Sequence, residues 1–170
     1  MNIFIMDHDI KIIDNFLSDV EFDICQRMCL HESVAWYWND YVNEVGDGNS
    51  QLTHVIWYDE PVSSIFEGLN SLRHKFPGFK SWRRIKMNAN PRTTFKRNQG
   101  FHVDYQGMRT AIFYVNTTNG GTKFKGGPFV KGIENRLVVF KSDLLHAGIT
   151  CTDQPRKVVI NFNYFDSILN

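Results

Sequence analysis

Three side chains in the second half of the sequence have the types that hold a redox-active metal ion. His102 and Asp104 are two positions apart, so on a β-strand both side chains would point to the same face. His146 is the only histidine after Asp104, and it follows the apolar segment 137–140. Two imidazoles and one carboxylate suit Fe(II) and leave coordination positions open for substrate and O₂. These residue types therefore indicate oxygen-activating chemistry.

Arg156 is a cation that could accompany such a metal, because it lies ten residues after His146 and opens the β-like segment 157–164. A buried guanidinium needs an anionic partner, and the carboxylate of a co-substrate would supply one. Tyr114 could donate its hydroxyl to the same carboxylate if its strand face points inward. The competing interpretation makes Arg156 a surface residue and Tyr114 an ordinary core aromatic.

The rest of the chain must position these side chains. Ser18 and Glu21 form a capping-box pattern that predicts a helix running to about His31. Pro61 is suited to the first turn of a second helix, which would end at Pro77. From residue 80 onward, short β-rich segments alternate with Gly, Asn and Pro turns, at 82–88, 101–105, 110–116, 122–125, 128–130, 136–141, 146–151 and 157–165. This order predicts a β-sandwich or jelly roll backed by two helices, an α+β but mainly β fold.

Length and composition fit one globular domain. The chain has 170 residues, of which 42% are hydrophobic. No apolar stretch approaches the roughly 20 residues that cross a bilayer, so no membrane association is expected. The first residues lack the basic region of a signal peptide. Three cysteines are too few and too odd in number for a disulfide framework, so a reducing, cytoplasmic setting is expected.

The charge is unevenly distributed along the chain. Residues 1–72 contain 13 acidic and 2 basic residues, whereas residues 73–170 contain 17 basic and 5 acidic ones. One interpretation is that the two halves pack together and their fields largely cancel. The other is a positive field that attracts an anionic co-substrate or an acidic partner. The loop 90–100, which leads into His102, has the composition of a lid and carries three of these cations.

Several segments resemble, in the same order, the Fe(II)/2-oxoglutarate-dependent oxygenases, and most closely the prolyl 4-hydroxylase-like group. They are His102-Val103-Asp104, 110–116, 119–124, 135–140, His146-Ala147-Gly148 and Arg156. Segment 12–18 is similar to the usual opening of the family, more weakly, and residues 30–80 match nothing in it. The similarity therefore covers about residues 100–165.

The resemblance implies a double-stranded β-helix of the jelly-roll or cupin-like type, backed by N-terminal helices. It implies a single oxygenase domain over residues 1–170, in which 1–79 give support and 80–170 form the jelly-roll core. His102, Asp104 and His146 would bind iron, while Arg156 and Tyr114 would hold the distal carboxylate of 2-oxoglutarate. The implied cofactors are Fe(II), 2-oxoglutarate as co-substrate and O₂, with ascorbate as an accessory reductant.

The sequence also departs from the family. Many members carry a tyrosine near the keto-acid end of the co-substrate, on the strand before His-x-Asp. The corresponding segment 84–90 has none, and we take Asn88 as its substitute. Collagen-type members tend to have lysine where this chain has Arg156, which disfavours that subgroup. Asp104 argues against the halogenating relatives, and the absence of a second arginine in 157–162 makes a nucleic-acid substrate unlikely.

The expected function is hydroxylation of a C–H bond, with a prolyl residue in a peptide or protein as the first choice of substrate. Hydroxylation of a free amino acid or another small molecule is the alternative. Of other classes, a non-catalytic jelly-roll ligand-binding protein would share the fold but would not need the metal ligands and the arginine together. A metal-dependent isomerase of the small-barrel type would use more histidines. The sequence does not indicate an oligomeric state.

Overall fold

In the computed structural model of the chain, residues 2–7, 10–70 and 72–167 are described, the first range by its backbone alone. The predicted domain of residues 1–170 also includes 1, 8, 9, 71 and 168–170, which lie outside the described residues. The strands are β1 Asn2–Asp7, β2 Ile10–Asp14, β3 Tyr37–Asn39, β4 Gln51–Tyr58, β5 Glu60–Pro61, β6 Phe79–Pro91, β7 Arg109–Tyr114, β8 Gly121–Phe124, β9 Phe129–Lys131, β10 Arg136–Lys141, β11 His146–Ile149 and β12 Arg156–Asp166. The helices are α1 Asp19–Leu30, α2 Phe66–Asn70 and a 3₁₀ helix, Arg73–Lys75.

Two antiparallel sheets face each other. The main sheet has the order β1-β2-β10-β7-β12-β6-β4-β3, with β5 paired to β4, and the small sheet has the order β11-β8-β9. The N-terminal 79 residues therefore add strands to the main sheet as well as backing it with helices. Strands that are distant in sequence become neighbours, so each face of the main sheet collects side chains from both halves of the chain.

The two faces of the main sheet serve different purposes. One face packs against α1 and α2 and forms the larger apolar core, which includes Cys25, Phe113, Ile160 and Phe162. The other face meets the small sheet and forms a smaller apolar cluster around Ile112, Tyr114, Val138, Phe140 and Phe124. Because side chains alternate along a strand, two adjacent residues of the main sheet point to opposite faces, one toward the larger core and the other toward the small sheet.

Helix α1 begins as predicted. Ser18 is its N-cap, and both hydrogen bonds of the capping box with Glu21 are present. Cys25 and Cys29 are buried against the main sheet as free thiols. Among the described residues, no helix is both long and apolar enough to cross a membrane.

Two predicted elements are wrong. Pro61 does not open a helix but ends the two-residue strand β5, opposite Trp57; an edge strand tolerates proline because it needs fewer backbone donors. Helix α2 begins only at Phe66. The predicted strand 101–105 is reduced to a single bridge, in which His102 pairs with His146. Strands β1, β3 and β5 were not predicted, whereas β2 lies within segment 10–17 and β4 contains segment 53–58, both of which are predicted as strands from their apolar and β-branched residues.

Asn135 fastens the start of the chain to the main sheet. Its side-chain amide accepts from the Leu17 N–H and donates to the Leu17 carbonyl, both at 2.8 Å, and its backbone has a positive φ of 56°. It is 6% exposed, so both bonds are buried. One amide therefore provides the two hydrogen bonds that join residue 17 to the turn before β10.

We expect Asn135→Ala to lower the free energy of unfolding by about 3 kcal/mol. Two buried backbone groups lose partners worth about 1–3 kcal/mol each, and alanine in the left-handed region costs about 1 kcal/mol more. Urea unfolding followed by circular dichroism measures the loss. Asn135→Gly is the control, because it removes the amide but tolerates the backbone, and it should lose about 1 kcal/mol less. A loss below about 1 kcal/mol for alanine would contradict this role.

Candidate metal centre and its cavity

His102, Asp104 and His146 converge between the two sheets. Each offers one ligand atom, and these three atoms lie within 4.8 Å of one another. His146 begins β11, whereas His102 and Asp104 follow the loop that leaves β6. The two histidines exchange backbone hydrogen bonds, His102 N–H to His146 O at 2.9 Å and His146 N–H to His102 O at 3.0 Å. The structure thus brings together the three predicted metal ligands.

Backbone carbonyls set the tautomer of both imidazoles. The Nδ1 atom of His102 lies 3.2 Å from the Gly100 carbonyl, and that of His146 lies 2.9 Å from the Leu144 carbonyl. A carbonyl only accepts, so each Nδ1 must carry the proton, and each Nε2 keeps a lone pair for a metal. Burial lowers the pKa of His146, which favours its neutral, metal-binding form.

Asp104 is held as a carboxylate. It accepts hydrogen bonds from Thr110 Oγ1 at 2.8 Å and from Asn163 Nδ2 at 3.0 Å, and the guanidinium of Arg84 lies 3.4 Å away. Burial alone would raise the pKa of Asp104, but the charge of Arg84, the charges of His146 and His102 when these are protonated at low pH, and the Thr110 hydroxyl lower it to about 2. The carboxylate is therefore charged at neutral pH, as a metal ligand must be.

The donor set fits a divalent transition metal. Three protein ligands, two neutral imidazoles and one carboxylate, leave open coordination positions, as the non-heme Fe(II) triad does. The carboxylate is already hydrogen-bonded on its outer side and both imidazoles on their second nitrogen, which is the support that metal ligands need.

The triad opens into a polar cavity of about 270 Å³. Its walls come largely from the main sheet and include a row of alternate residues on β6: Arg84, Lys86, Asn88 and Asn90. Four buried polar atoms on these walls have no hydrogen-bond partner among the described residues: Asn43 Oδ1, Asn88 Oδ1, Asn90 Nδ2 and Asn161 Oδ1. Unpaired buried polar atoms are costly, so the cavity is built to hold a polar ligand or ordered water.

Lys157 supplies a cation at one end of this cavity. It is 3% exposed, and its Nζ donates to the carbonyls of Ile149 at 2.7 Å and Gly121 at 3.2 Å. No carboxylate pairs with it in the part of the chain that the structure describes. Burial lowers the pKa of Lys157 to about 8. The two carbonyls satisfy hydrogen bonds of this buried ammonium group but do not neutralise its charge. A ligand carboxylate would provide the missing anion.

The sequence prediction placed Arg156 in this position, and the structure contradicts it. Arg156 lies on the opposite face of β12, on the side of the larger core, and its Nη2 lies 3.4 Å from the Leu30 carbonyl at the end of α1. It does not line the cavity. The prediction was wrong by one residue. Adjacent residues of a strand point to opposite faces of the sheet, so Lys157 and not Arg156 faces the cavity.

Tyr114 is on the predicted face but does not line the cavity. Its hydroxyl is hydrogen-bonded to Thr122 Oγ1 at 2.7 Å, and burial raises the pKa of the phenol well above its usual value. Thr122 itself lines the cavity. The predicted contact of Tyr114 with a co-substrate carboxylate is therefore replaced by a contact with Thr122, whose side chain is the one that can meet a ligand.

Asn88 lines the cavity with its Oδ1 unpaired. Its predicted contact with the keto-acid end of a co-substrate stays a prediction. The neighbouring Asn90 shares its face and also has an unpaired atom, so two amides are available. The loop that leads to His102 is tied to β11, because the Gln99 N–H donates to the Gly148 carbonyl at 2.9 Å.

The fold is similar to that of known oxygenases. A prolyl-4-hydroxylase from Pseudomonas putida aligns with a TM-score of 0.64 and 15% identity, over 94% of this chain and 93% of that one. A prolyl hydroxylase from Trichoplax adhaerens, in complex with a hypoxia inducible factor peptide fragment, gives a TM-score of 0.61 and 18% identity, over 95% and 85%. HygX from Streptomyces hygroscopicus, with nickel, 2-oxoglutarate and hygromycin B bound, gives 0.65 and 8%, over 94% and 84%.

No protein-family model and no curated protein sequence matches the chain. The structural similarity confirms the predicted fold, a double-stranded β-helix of the kind found in 2-oxoglutarate and Fe(II) oxygenases. Several of the strands and the convergence of His102, Asp104 and His146 were accessible from the sequence, whereas the cation Lys157 was not.

Proposed function

We propose that this protein is an Fe(II)- and 2-oxoglutarate-dependent dioxygenase that hydroxylates a C–H bond. The observation that carries the proposal is the arrangement of His102, Asp104 and His146 in one polar cavity with a buried, carboxylate-free Lys157. A metal triad alone would fit many metalloproteins. A metal triad with a buried cation fits a metal that works with an anionic co-substrate.

Each side chain has a defined part in this proposal. His102 and His146 would bind Fe(II) through Nε2, and Asp104 would add a carboxylate oxygen. Lys157 would pair with the distal carboxylate of 2-oxoglutarate, with the Thr122 hydroxyl beside it. Bound Fe(II), with 2-oxoglutarate and O₂, supplies the oxidising power for C–H hydroxylation. The two sheets around the cavity keep most bulk water away from the reacting groups.

The substrate class is a finer part of the proposal. A prolyl residue in a peptide or protein remains the first choice, and a free amino acid or another small molecule is the alternative. The Trichoplax adhaerens enzyme holds a peptide and HygX holds hygromycin B, so this fold serves both kinds of substrate. Fold alone does not select between them.

We treat residues 1–170 as a single oxygenase domain. A reducing, cytoplasmic compartment is part of the proposal and is supported by the three free cysteines.

The test is conversion of 2-oxoglutarate to succinate. Protein incubated with Fe(II), ascorbate and 2-oxoglutarate should form succinate, and removal of the metal with a chelator should stop it. A non-catalytic jelly-roll ligand-binding protein would form none, and neither would a metal-dependent isomerase. Absence of both succinate formation and metal-dependent 2-oxoglutarate binding would refute the proposal, because slow turnover without substrate cannot explain the loss of binding.

Affinity for 2-oxoglutarate should depend on pH through Lys157. Its pKa is lowered to about 8, so the ammonium form is present below pH 8 and is lost as the pH rises above it. The dissociation constant should be constant from pH 6.5 to 7.5 and should then rise by about tenfold for each unit above pH 8. Calorimetric titration of the Mn(II)-loaded protein measures it. Lys86→Gln is the control, because Lys86 has a similar pKa, and the profile should persist in it. A profile that vanishes in Lys86→Gln would assign the dependence to the wrong lysine.

A further inference from the structure

The cavity contains more positive charge than the proposed co-substrate requires. Three cationic side chains line it, Arg84, Lys86 and Lys157, whereas the only carboxylate on its described walls is Asp104. A bound divalent metal would add positive charge, and 2-oxoglutarate would remove two units of it. The remaining excess of positive charge is on β6, where Arg84 and Lys86 are two positions apart on one strand face.

Lys86 is the group in this pair without a partner. Its ammonium group makes no hydrogen bond and no ion pair with any residue that the structure describes. Its neighbours across the two adjacent strands are Val55 and Asn161, neither of which is an acid. Burial, followed by the charge of Arg84, lowers the pKa of Lys86 to about 8. The charge of Asp104 opposes this lowering only in part. A half-buried cation that has no hydrogen-bonded partner and lies beside a second cation is stabilised further when an anion enters.

Arg84 is held in place beside it. Its Nε donates to Asn163 Oδ1 at 3.0 Å, its Nη2 lies 3.4 Å from Asp104 Oδ1, and its guanidinium lies 5.2 Å from the ring centre of Tyr105. Its Nη1 makes no hydrogen bond to a described residue. Arg84 thus presents a donor to the cavity from a fixed position, and Lys86 adds a second donor from the same strand face. Two donors match the two oxygens of a carboxylate.

The co-substrate carboxylate at Lys157 cannot serve this pair. Lys86 lies opposite Asn161 on β12, four residues from Lys157, which is about 13 Å along the strand. Arg84 lies opposite Asn163 and is farther still. Arg84 also contacts Asp104, whereas Lys157 contacts the carbonyls of Gly121 and Ile149. The two cationic regions are therefore at different ends of the cavity.

We propose that the substrate carries a carboxylate, which binds Arg84 and Lys86 on the Asp104 side of the triad. This inference rests on the proposed function and narrows its substrate class. A carboxylate at this position would bring the substrate close to the metal centre and leave the Lys157 end for 2-oxoglutarate. The carboxylate can belong to a free acid or to an acidic side chain in a peptide.

The experiment uses protein loaded with Mn(II) and N-oxalylglycine, which fill the proposed metal and co-substrate sites without turnover. Binding of N-acetyl amino acids is compared by calorimetry with binding of the corresponding neutral amides. A second panel compares acetylated proline-containing peptide amides that carry Glu or Gln beside the proline. In at least one panel the acid should bind about tenfold or more tightly than its neutral partner. The panel that shows this preference identifies the source of the carboxylate.

Lys86→Gln should remove most of this preference, and Lys86→Arg should restore it. Lys80→Gln is the matched control, because Lys80 is an exposed lysine on the same strand, and it should leave the preference unchanged. N-oxalylglycine affinity should change less than threefold in all three variants.

Two results would overturn the inference: no preference for acids in either panel of the unaltered protein, or a loss of N-oxalylglycine binding in Lys86→Gln. The second result would assign Lys86 to the co-substrate. A preference for acids that persists in Lys86→Gln at full strength would overturn the inference as well. Failure of Mn(II) and N-oxalylglycine to bind at all would instead refute the proposed function, and the acid and amide panels would then be measured on the unloaded protein.

Discussion

Asp104→Asn is expected to weaken Mn(II) binding by at least about 100-fold while the protein stays folded. Changes to residues that merely support metal ligands cost about 10- to 100-fold in affinity, and Asp104 would itself be the charged ligand of the proposed triad. The amide keeps the size of the carboxylate and one oxygen that accepts hydrogen bonds from its neighbours. The loss should therefore come from the missing negative charge at the metal.

Electron paramagnetic resonance of free Mn(II) measures this dissociation constant directly. Asp143→Asn is the control, because Asp143 is an exposed acid in the turn just before His146. It should bind Mn(II) like the unaltered protein. Equal affinity in the two variants would show that the triad is not the metal site, and it would remove the basis for the proposed oxygenase activity. Circular dichroism spectra of both variants establish that the fold is retained.

Lys157→Gln should lower the affinity for 2-oxoglutarate by about 100-fold or more, whereas Arg156→Gln should change it by less than about threefold. Removing one partner of a buried ion pair costs about 3–5 kcal/mol, and each 1.4 kcal/mol is a factor of ten. Lys157 is buried at the cavity, and Arg156 is on the other face of the same strand. Of these two adjacent residues, we therefore expect only Lys157 to matter for 2-oxoglutarate affinity.

Calorimetric titration of Mn(II)-loaded protein with 2-oxoglutarate separates the two cations. Mn(II) affinity should be unchanged in both variants, because neither side chain is a ligand. Arg156→Gln should affect stability instead, and only slightly, since the contact of its guanidinium with the Leu30 carbonyl is long at 3.4 Å. The reverse pattern, with loss of affinity in Arg156→Gln alone, would restore the prediction made from the sequence and refute the assignment of Lys157.

The sequence pattern predicted Arg156 as the cation at the cavity, whereas the structure places Lys157 there. Almost every residue of β12 is buried, so the usual alternation of apolar and polar residues does not identify its inner face. A weaker signal was present. Lys157, Asn161 and Asn163 lie at alternate positions of β12 on the side of the cavity and are polar. The residues that share a face with Arg156 are mostly apolar: Val158, Ile160, Phe162 and Tyr164.

The metal triad was predictable because each of its residues has a distinctive type and spacing. The polar face of β6 was also readable, since Arg84, Lys86, Asn88 and Asn90 alternate with apolar residues, yet only Asn88 was singled out. The start of α2 was not readable. Pro61 satisfies the rule for a helix start, but it pairs with Trp57 in a tight hairpin, which turns at Asp59 with a positive φ of 61°.

The reciprocal backbone bonds between His102 and His146 fix the spacing of the two imidazole rings. Because backbone bonds form without a ligand, we expect this spacing to persist when metal is removed. Removal of the metal with a chelator should then lower the melting temperature only by the amount expected from the loss of a bound ligand. The secondary structure should be unchanged. Metal supply would then decide whether the proposed reaction can run, whereas the fold would persist without metal.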